Sequence, residues 1–523
     1  MEDDHPLPLS LRSGVLRSEL RRALAARQPR IIPRAIRSVV APARWPPPAR
    51  VVAAVLDGAV ARGSVPAARR ILATLDRQAE ARRPGTPAAL RRATAIDVAA
   101  PGLPDEQRQI ERVVAAYLRS ELGPPRKPAP PQPGELVDRV ATVAEDLRRQ
   151  GHDRPTIVMT FPGFHTNPYA RLMEQAYREH GLVAVPVDDP ASIDAIVDAR
   201  ERAGYRVIAH LNAPDRFVLA PHTGTEPRAI ADEALGRVDG WLAQGVGLVV
   251  SVHNRPRLTG RRGEAEQLVA QGILDRAHLV HLLAATTPEL LGDWVRIDPA
   301  RSVHVPHPNY DAVYSPPPDR ASARRALGIP DGNDTLVVGL VGALADRKGG
   351  LALVEALRDV PDPLPDGRHL HLLIGGMLVG ARSEELIRSA LGHPRVTCRF
   401  GFVPDDAVPT LLASLDVAVV PYGSYLNSGW LHLALTFGLP VISGANGTAS
   451  EIVRGEALRL FTGDDRASLA AALAGAGDLA TASARRVARA SVADLDAREL
   501  SERFVREMLV AIPDGHSATA PTP

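Results

Sequence analysis

Two short segments in the second half of the chain carry residue types able to hold an anion. The first, 342–350 (GALADRKGG), ends an apolar run of strand type and opens a helical stretch. Glycines such as Gly342 let backbone approach a ligand closely, and a helix N-terminus favours negative charge. Arg347 and Lys348 add two full positive charges, which suits a diphosphate. An exposed basic turn would carry the same residues. The segment is not a P-loop, because the order G-x-x-x-x-G-K-[ST] is absent. The second segment, 422–430 (YGSYLNSGW), follows another strand-like run and precedes a dense apolar helix. Ser428 is a natural N-cap, Gly429 leaves bare backbone at the helix start, and Asn427 adds a polar side chain. A plain N-cap without ligand is the simpler alternative.

Two segments in the middle of the chain carry other chemistry. His253, in the run SVHN at the end of a strand-like stretch, is placed to act as a general base or to hydrogen-bond a sugar hydroxyl. The loop 161–171 (FPGFHTNPYAR) mixes aromatic and polar residues, including His165, Asn167, Tyr169 and Arg171, a composition suited to carbohydrate. Lone histidines are more often structural, and sixteen are present. The sequence holds no HExxH, no Gly-x-Ser-x-Gly and no convincing Asp-x-Asp pair, so no metal site is expected.

The elements that must position these residues alternate regularly. From about residue 135, short β-rich apolar runs alternate with amphipathic helical stretches. Strands are expected at 156–160, 182–187, 205–210, 247–253, 279–283 and 302–305. After a proline-rich joint at 314–320 (YSPPPDR), they are expected again at 335–341, 370–375, 396–401, 417–421, 440–443 and 458–461. Near-continuous apolar strands separated by helices predict parallel sheets covered on both faces. Two such units in tandem predict two lobes around a cleft, with ligands beyond the carboxyl ends of the strands.

The rest of the chain differs. Residues 1–135 carry 23 Lys+Arg against 13 Asp+Glu, a balance of +10, whereas the remainder balances at −8. Proline-broken helices and the linker 123–134 (GPPRKPAPPQPG) fill this extension. The expected organisation is a helical extension and linker at 1–134, one lobe at 135–316, a second at 317–490, and a helix with a disordered tail at 491–523. Such a basic extension suits contact with something anionic, and a peripheral membrane surface is the expected partner, with no nucleic acid. A solvated arginine-rich appendage is the alternative. Hydrophobic residues make up 45% and charged residues 23% of the 523, the balance of a globular protein. A single cysteine, Cys398, excludes an internal disulfide and any cysteine-based zinc cluster. No apolar run reaches the ~18 residues of a membrane span, and the start MEDDHPLPLS lacks a secretory pattern, so a cytoplasmic location is expected.

In their order, the motifs of the second lobe resemble the family 4-type glycosyltransferases of the GT-B fold. The matching pieces are 341–350, 372–376, GFVP at 401–404, LLASLDVAVVP at 411–421, FGLPVI at 437–442 and GTASEIV at 447–453. The first lobe is a looser match, through NPYARL at 167–172, VHN at 252–254 and VPHPNYDAVY at 305–314. One departure is clear. The family's Glu-x7-Glu motif falls on Tyr425 and Leu433, and Ala343 stands where the family has the first arginine of the glycine turn. The chain is therefore similar to a side branch that includes bacterial polysaccharide glycosyltransferases.

The resemblance implies an α/β GT-B fold of two Rossmann-like lobes and transfer of a sugar from a UDP- or GDP-linked donor to a glycan, lipid-linked or small-molecule acceptor, without cofactor or metal. It implies acceptor binding in the first lobe, by His165, Asn167, Tyr169 and Arg171. Donor binding falls in the second, with Gly342, Arg347, Lys348, Asn427, Ser428 and Gly429 on the diphosphate. Phe402, Val403, Pro404, Thr448 and Glu451 would line the nucleoside pocket, and His253 would contact the donor sugar or act as base. A binding or scaffold protein without turnover stays open, because both motif glutamates are lost. So does a sugar-nucleotide epimerase of the same fold.

Overall fold

The computed structural model describes residues 133–512, apart from 153, 164–167, 214–216, 218–225, 255–259, 333 and 392. The expectations for 1–132, and for His165 and Asn167, lie outside the described residues. The first sheet contains β1 (Thr156–Phe161), β2 (Leu182–Pro186), β3 (Arg206–Leu211), β4 (Gly247–Val252), β5 (Leu279–Leu282) and β6 (Ser302–His304). Its order is β2-β1-β3-β4-β5-β6, and every pairing is parallel. The second half adds β7 (Thr335–Val341), β8 (Leu344–Ala345), β9 (His369–Gly376), β10 (Leu378–Val379), β11 (Val396–Phe400), β12 (Val417–Val420), β13 (Val441–Gly444) and β14 (Leu458–Phe461). Six of these make a second parallel sheet in the order β11-β9-β7-β12-β13-β14, while β8 and β10 pair separately.

The twelve expected strands are all present, with ends shifted by at most two residues. Their apolar character has the expected cause: β4, β7, β9 and β12 are buried along almost their whole length, as strands covered on both faces must be. The two-residue strands β8 and β10 carry no periodicity that a sequence pattern could show. The order in which successive strands are added to the sheet reverses between β1 and β3 in the first sheet and between β7 and β12 in the second. Loops diverge there and leave a crevice at the carboxyl ends of the strands.

Two helices extend the first lobe beyond its sequence-based limits. Pro133–Arg149 begins at the end of the proline-rich stretch and buries Leu136, Val140 and Ala144. Ala497–Ala511, near the end of the chain, returns to the first lobe. Its Phe504, Val505 and Met508 share a core with Val158, Tyr177, Ile208 and Val249.

A line of polar side chains crosses this same core. The Tyr177 hydroxyl meets His210 Nδ1 at 2.8 Å, and His210 Nε2 meets Ser251 Oγ at 2.7 Å. Ser251 Oγ then meets His281 Nδ1 at 2.8 Å, and His281 Nε2 meets the Val305 carbonyl at 2.8 Å. A carbonyl only accepts, so His281 Nε2 donates, and with burial keeping the ring neutral its Nδ1 accepts from Ser251. By the same logic His210 Nε2 donates to Ser251 and its Nδ1 accepts from Tyr177. Both imidazoles are neutral in this arrangement.

The second lobe is pinned by a buried ion pair. Asp416, just before β12, accepts from Arg324 Nη2 at 2.5 Å, Arg320 Nη1 at 2.7 Å and the Val337 amide at 2.8 Å. The Arg324 and Asp416 side chains are 5% and 6% exposed. Removing one partner of such a pair strands the other charge. Asp416→Ala is therefore expected to lower stability by about 3–5 kcal/mol, measured by denaturant unfolding. A loss below about 1 kcal/mol would show that the pair contributes no more than a surface one.

Candidate functional site

The glycine turn after β7 and the loop after β12 stand side by side, because the two strands pair in the sheet. Gly349 brings them into contact. Its φ is +64°, and a Cβ there would lie 1.9 Å from the Pro421 carbonyl oxygen, so only glycine fits. Lys348 closes the short turn Asp346–Lys348 directly before the helix Gly350–Ala356. Its Nζ lies 5.6 Å from the ring centre of Tyr422, the second residue after β12. Arg347 is exposed and lines a cavity of about 330 Å³ together with Gly349, Pro421, Gly423, Asp464 and Arg466. Asp346 lines it too, but its carboxylate already accepts from the Ala381 and Arg382 amides at 2.9 and 3.1 Å.

Ser428 caps the helix Gly429–Thr436 as its type predicts, accepting from the Leu431 amide at 3.2 Å. Asn427 precedes it, half-buried. Gly429 is needed for packing as well as for bare backbone: a Cβ there would lie 2.8 Å from the Tyr310 hydroxyl. Tyr425 and Leu433 do not replace the missing carboxylates. The Tyr425 hydroxyl turns inward to Ser443 Oγ at 2.7 Å, and Leu433 packs on the core.

His253 stands just past β4, and its Nε2 lies 3.2 Å from Asn212 Oδ1, past the end of β3. An amide oxygen accepts, so this nitrogen carries the proton. The His253 ring packs edge-on against Tyr169 at 5.4 Å, and Tyr169 lies 4.9 Å from the ring of His307. His307 in turn stacks on His432 at 4.4 Å with 24° between planes. The chain of rings thus runs from the first lobe, through the connector that follows β6, to the helix capped by Ser428. Burial holds the Tyr169 hydroxyl above the ordinary phenol range and pushes His307 down to about 4, against the opposing hydrogen bond to the Pro308 carbonyl. His432 is fully buried and held well below its usual value by burial first and His307 second; neither ring nitrogen has a hydrogen-bond partner among the described residues. Asn212 and His432 carry no signal in the sequence, and His307 and Tyr310 lie in the segment VPHPNYDAVY, whose pattern assigns them no site role. His432 lies inside LHLAL, where nothing local separates it from a core residue.

Two expected contact residues join the lobes. Both oxygens of Glu451 are engaged by the first lobe: the Ala285 amide at 2.7 Å, the Thr286 amide at 3.0 Å and the Thr286 hydroxyl at 2.7 Å. Burial works to raise the Glu451 pKa, but these hydrogen bonds outweigh it and hold the carboxyl below its ordinary value. Arg171 reaches Asp405 at 2.7 Å, just beyond Val403 and Pro404. Phe402 is 53% exposed beside them, on the loop after the edge strand β11. Thr448 is buried, with no partner for its hydroxyl among the described residues. Among the described residues, no group of three or more His, Cys, Asp or Glu is placed to hold a metal, and no helix is long and apolar enough to cross a membrane.

Comparison with known proteins gives this arrangement a context. Residues 335–476 match the family described as glycosyl transferases group 1. The D-inositol 3-phosphate glycosyltransferase of Corynebacterium efficiens is 30% identical over 259 residues, covering 45% of this chain and 59% of that protein. The 2-deoxystreptamine N-acetyl-D-glucosaminyltransferase of Streptomyces fradiae is 28% identical over 229 residues, covering 42% and 52%. The chain thus spans between half and three fifths of the length of these curated relatives. Among solved structures, Anabaena HepE in complex with UDP and glucose superposes with a TM-score of 0.50 at 17% identity, covering 68% of this chain and 99% of that one. Sucrose-phosphate synthase from Thermosynechococcus elongatus superposes with a TM-score of 0.52 at 18% identity, covering 68% and 98%. At such identities the likeness is one of fold. The chain accordingly has the GT-B fold of two Rossmann-like lobes, and residues 335–476 of its second lobe match the glycosyl transferases group 1 family.

Proposed function

We propose that the protein transfers a hexosyl group from a nucleotide-diphosphate sugar to a glycan, lipid-linked or small-molecule acceptor. The observation that carries this reading is the contact between the Lys348 turn and the end of β12, inside a group 1 domain. It sets an ammonium and the Ser428-capped helix at the same end of one sheet. In this reading Lys348 and Arg347, with the backbone of Gly342 and of Asn427–Gly429, neutralise the diphosphate. Positive charge and helix termini are worth most there as the leaving group gains charge. Phe402, Val403 and Pro404 border the nucleoside, and Thr448 supplies a buried hydroxyl beside it. His253 faces the donor sugar, and with Nε2 donating to Asn212 any basic role falls to Nδ1. Tyr169 and the loop before it form the acceptor side. UDP is the first donor nucleotide to try, because Anabaena HepE binds UDP and glucose.

The experiment is a thermal-shift panel of UDP, GDP and ADP with their sugars, followed by a transfer assay with the stabilising donor. A ligand at 100 times its dissociation constant adds about 2.7 kcal/mol, so one nucleotide should raise the melting temperature clearly. No shift with any of them would sink the reading. A second reading, donor binding without turnover, is favoured by one observation: Tyr425 is turned to Ser443, so no side chain stands in for the motif's first glutamate. Binding without transfer or hydrolysis would decide for it.

A further inference from the structure

The chain contains two lysines among its 62 basic residues, Lys127 and Lys348. Among the described residues the Lys348 ammonium pairs with no carboxylate; its contact is the face of Tyr422, 5.6 Å away. That ring is held firmly. Tyr422 is 3% exposed and packs edge-on against Tyr425 at 5.4 Å and 80°. The Tyr425 hydroxyl is fixed in turn on Ser443. The lysine's backbone is fixed as well, because Gly349 presses on the Pro421 carbonyl, one residue before Tyr422. A lysine carries its charge on a flexible four-carbon stem, so its ammonium needs a partner to stay in one place. A carboxylate would hold it but neutralise it. An aromatic face attracts the cation through its quadrupole and leaves the full charge for an incoming anion.

We propose that Tyr422 is the positioning residue of Lys348, holding its ammonium where the donor's diphosphate is neutralised. The inference rests on the proposed donor site and adds a residue to it.

The scarcity of lysine provides the test. Reductive methylation with 13C-formaldehyde keeps the charge and labels both lysines in the full-length protein. In the parent protein the Lys348 methyl signal should lie upfield of Lys127, shifted by the Tyr422 ring current, and saturating UDP or GDP should move Lys348 alone. Tyr422→Leu should remove the upfield shift and weaken diphosphate binding roughly three- to tenfold. Tyr422→Phe should keep both near the parent values, a rescue that a general packing defect would not show. Lys348 and Lys127 signals at the same random-coil position in the parent would overturn the proposal, and that comparison needs no variant to fold. If Lys348→Ala weakens binding while Tyr422→Leu does not, this inference alone fails. If both variants bind like the parent, the donor-site reading fails and takes the inference with it.

Discussion

Lys348→Ala is expected to weaken binding of the nucleoside diphosphate by roughly ten- to a hundredfold while leaving the fold intact. A charge-assisted hydrogen bond contributes about 1.5–3 kcal/mol, and each ~1.4 kcal/mol is a factor of ten. The fold should survive because the side chain is only half-buried and its contact among the described residues is one face of Tyr422. Transfer should fall at least as far as binding, because charge grows on the leaving diphosphate and the ammonium acts more strongly on the transition state. Lys127→Ala is the matched control and should change neither quantity. Isothermal titration with the donor found by thermal shift, together with initial rates, measures both. Unchanged binding and unchanged rates in Lys348→Ala would mean that the diphosphate sits elsewhere.

What made this prediction available was legible in the sequence, for a physical reason. The strand ahead of the turn is an apolar run, the glycines mark a close approach, and Lys348 lies between them. All three signals are local, within ten residues. The alternation of strands and helices is likewise local and repeated, so it predicts both sheets. The contacts that shape the cleft are not local. Glu451 reads in the sequence as a ribose or base contact, yet it meets Ala285 and Thr286, more than 160 residues earlier. Arg171 reads as an acceptor contact, yet it crosses to Asp405. A carboxylate and a guanidinium bind ligands and each other by the same chemistry, so residue type alone cannot choose between these partners. Tyr422 opens the segment 422–430 that the sequence singles out, but its contact with Lys348 is not local: nothing in either segment says that the two turns pack on one another. The helix Ala497–Ala511 shows its amphipathic pattern plainly, but nothing in that pattern says that its partner is the first lobe.

The buried histidines lead to the second large effect, a steep loss of stability in mild acid. Burial pushes His210 down to about 3, with a further contribution from His281. Burial likewise pushes His281 and His307 down to about 4, and it holds His432 well below its ordinary value. The hydrogen-bond line suits neutral rings: His210 lies between Tyr177 and Ser251, and His281 between Ser251 and the Val305 carbonyl, so a proton added to either ring would force a bond of the line to reverse or break. In the unfolded chain each histidine titrates near 6.5. Between about 6.5 and 4 the unfolded state therefore binds protons that the native state refuses. Stability is complete above pH 6.5 and falls as pH falls, by about 1.4 kcal/mol per unit for each such histidine once well below 6.5. Four together approach roughly 5 kcal/mol per unit, which is comparable to the whole stability of many domains. Urea unfolding at intervals from pH 8 to pH 5 should show midpoints level at the top and falling sharply below about 6. His432→Phe keeps a flat ring against His307 and removes one titrating group, so its curve should fall less steeply, by about 1.4 kcal/mol per unit. Flat stability between pH 7 and pH 5 would show that these imidazoles take up protons in the native protein, and an unaltered slope in His432→Phe would remove His432 from the set.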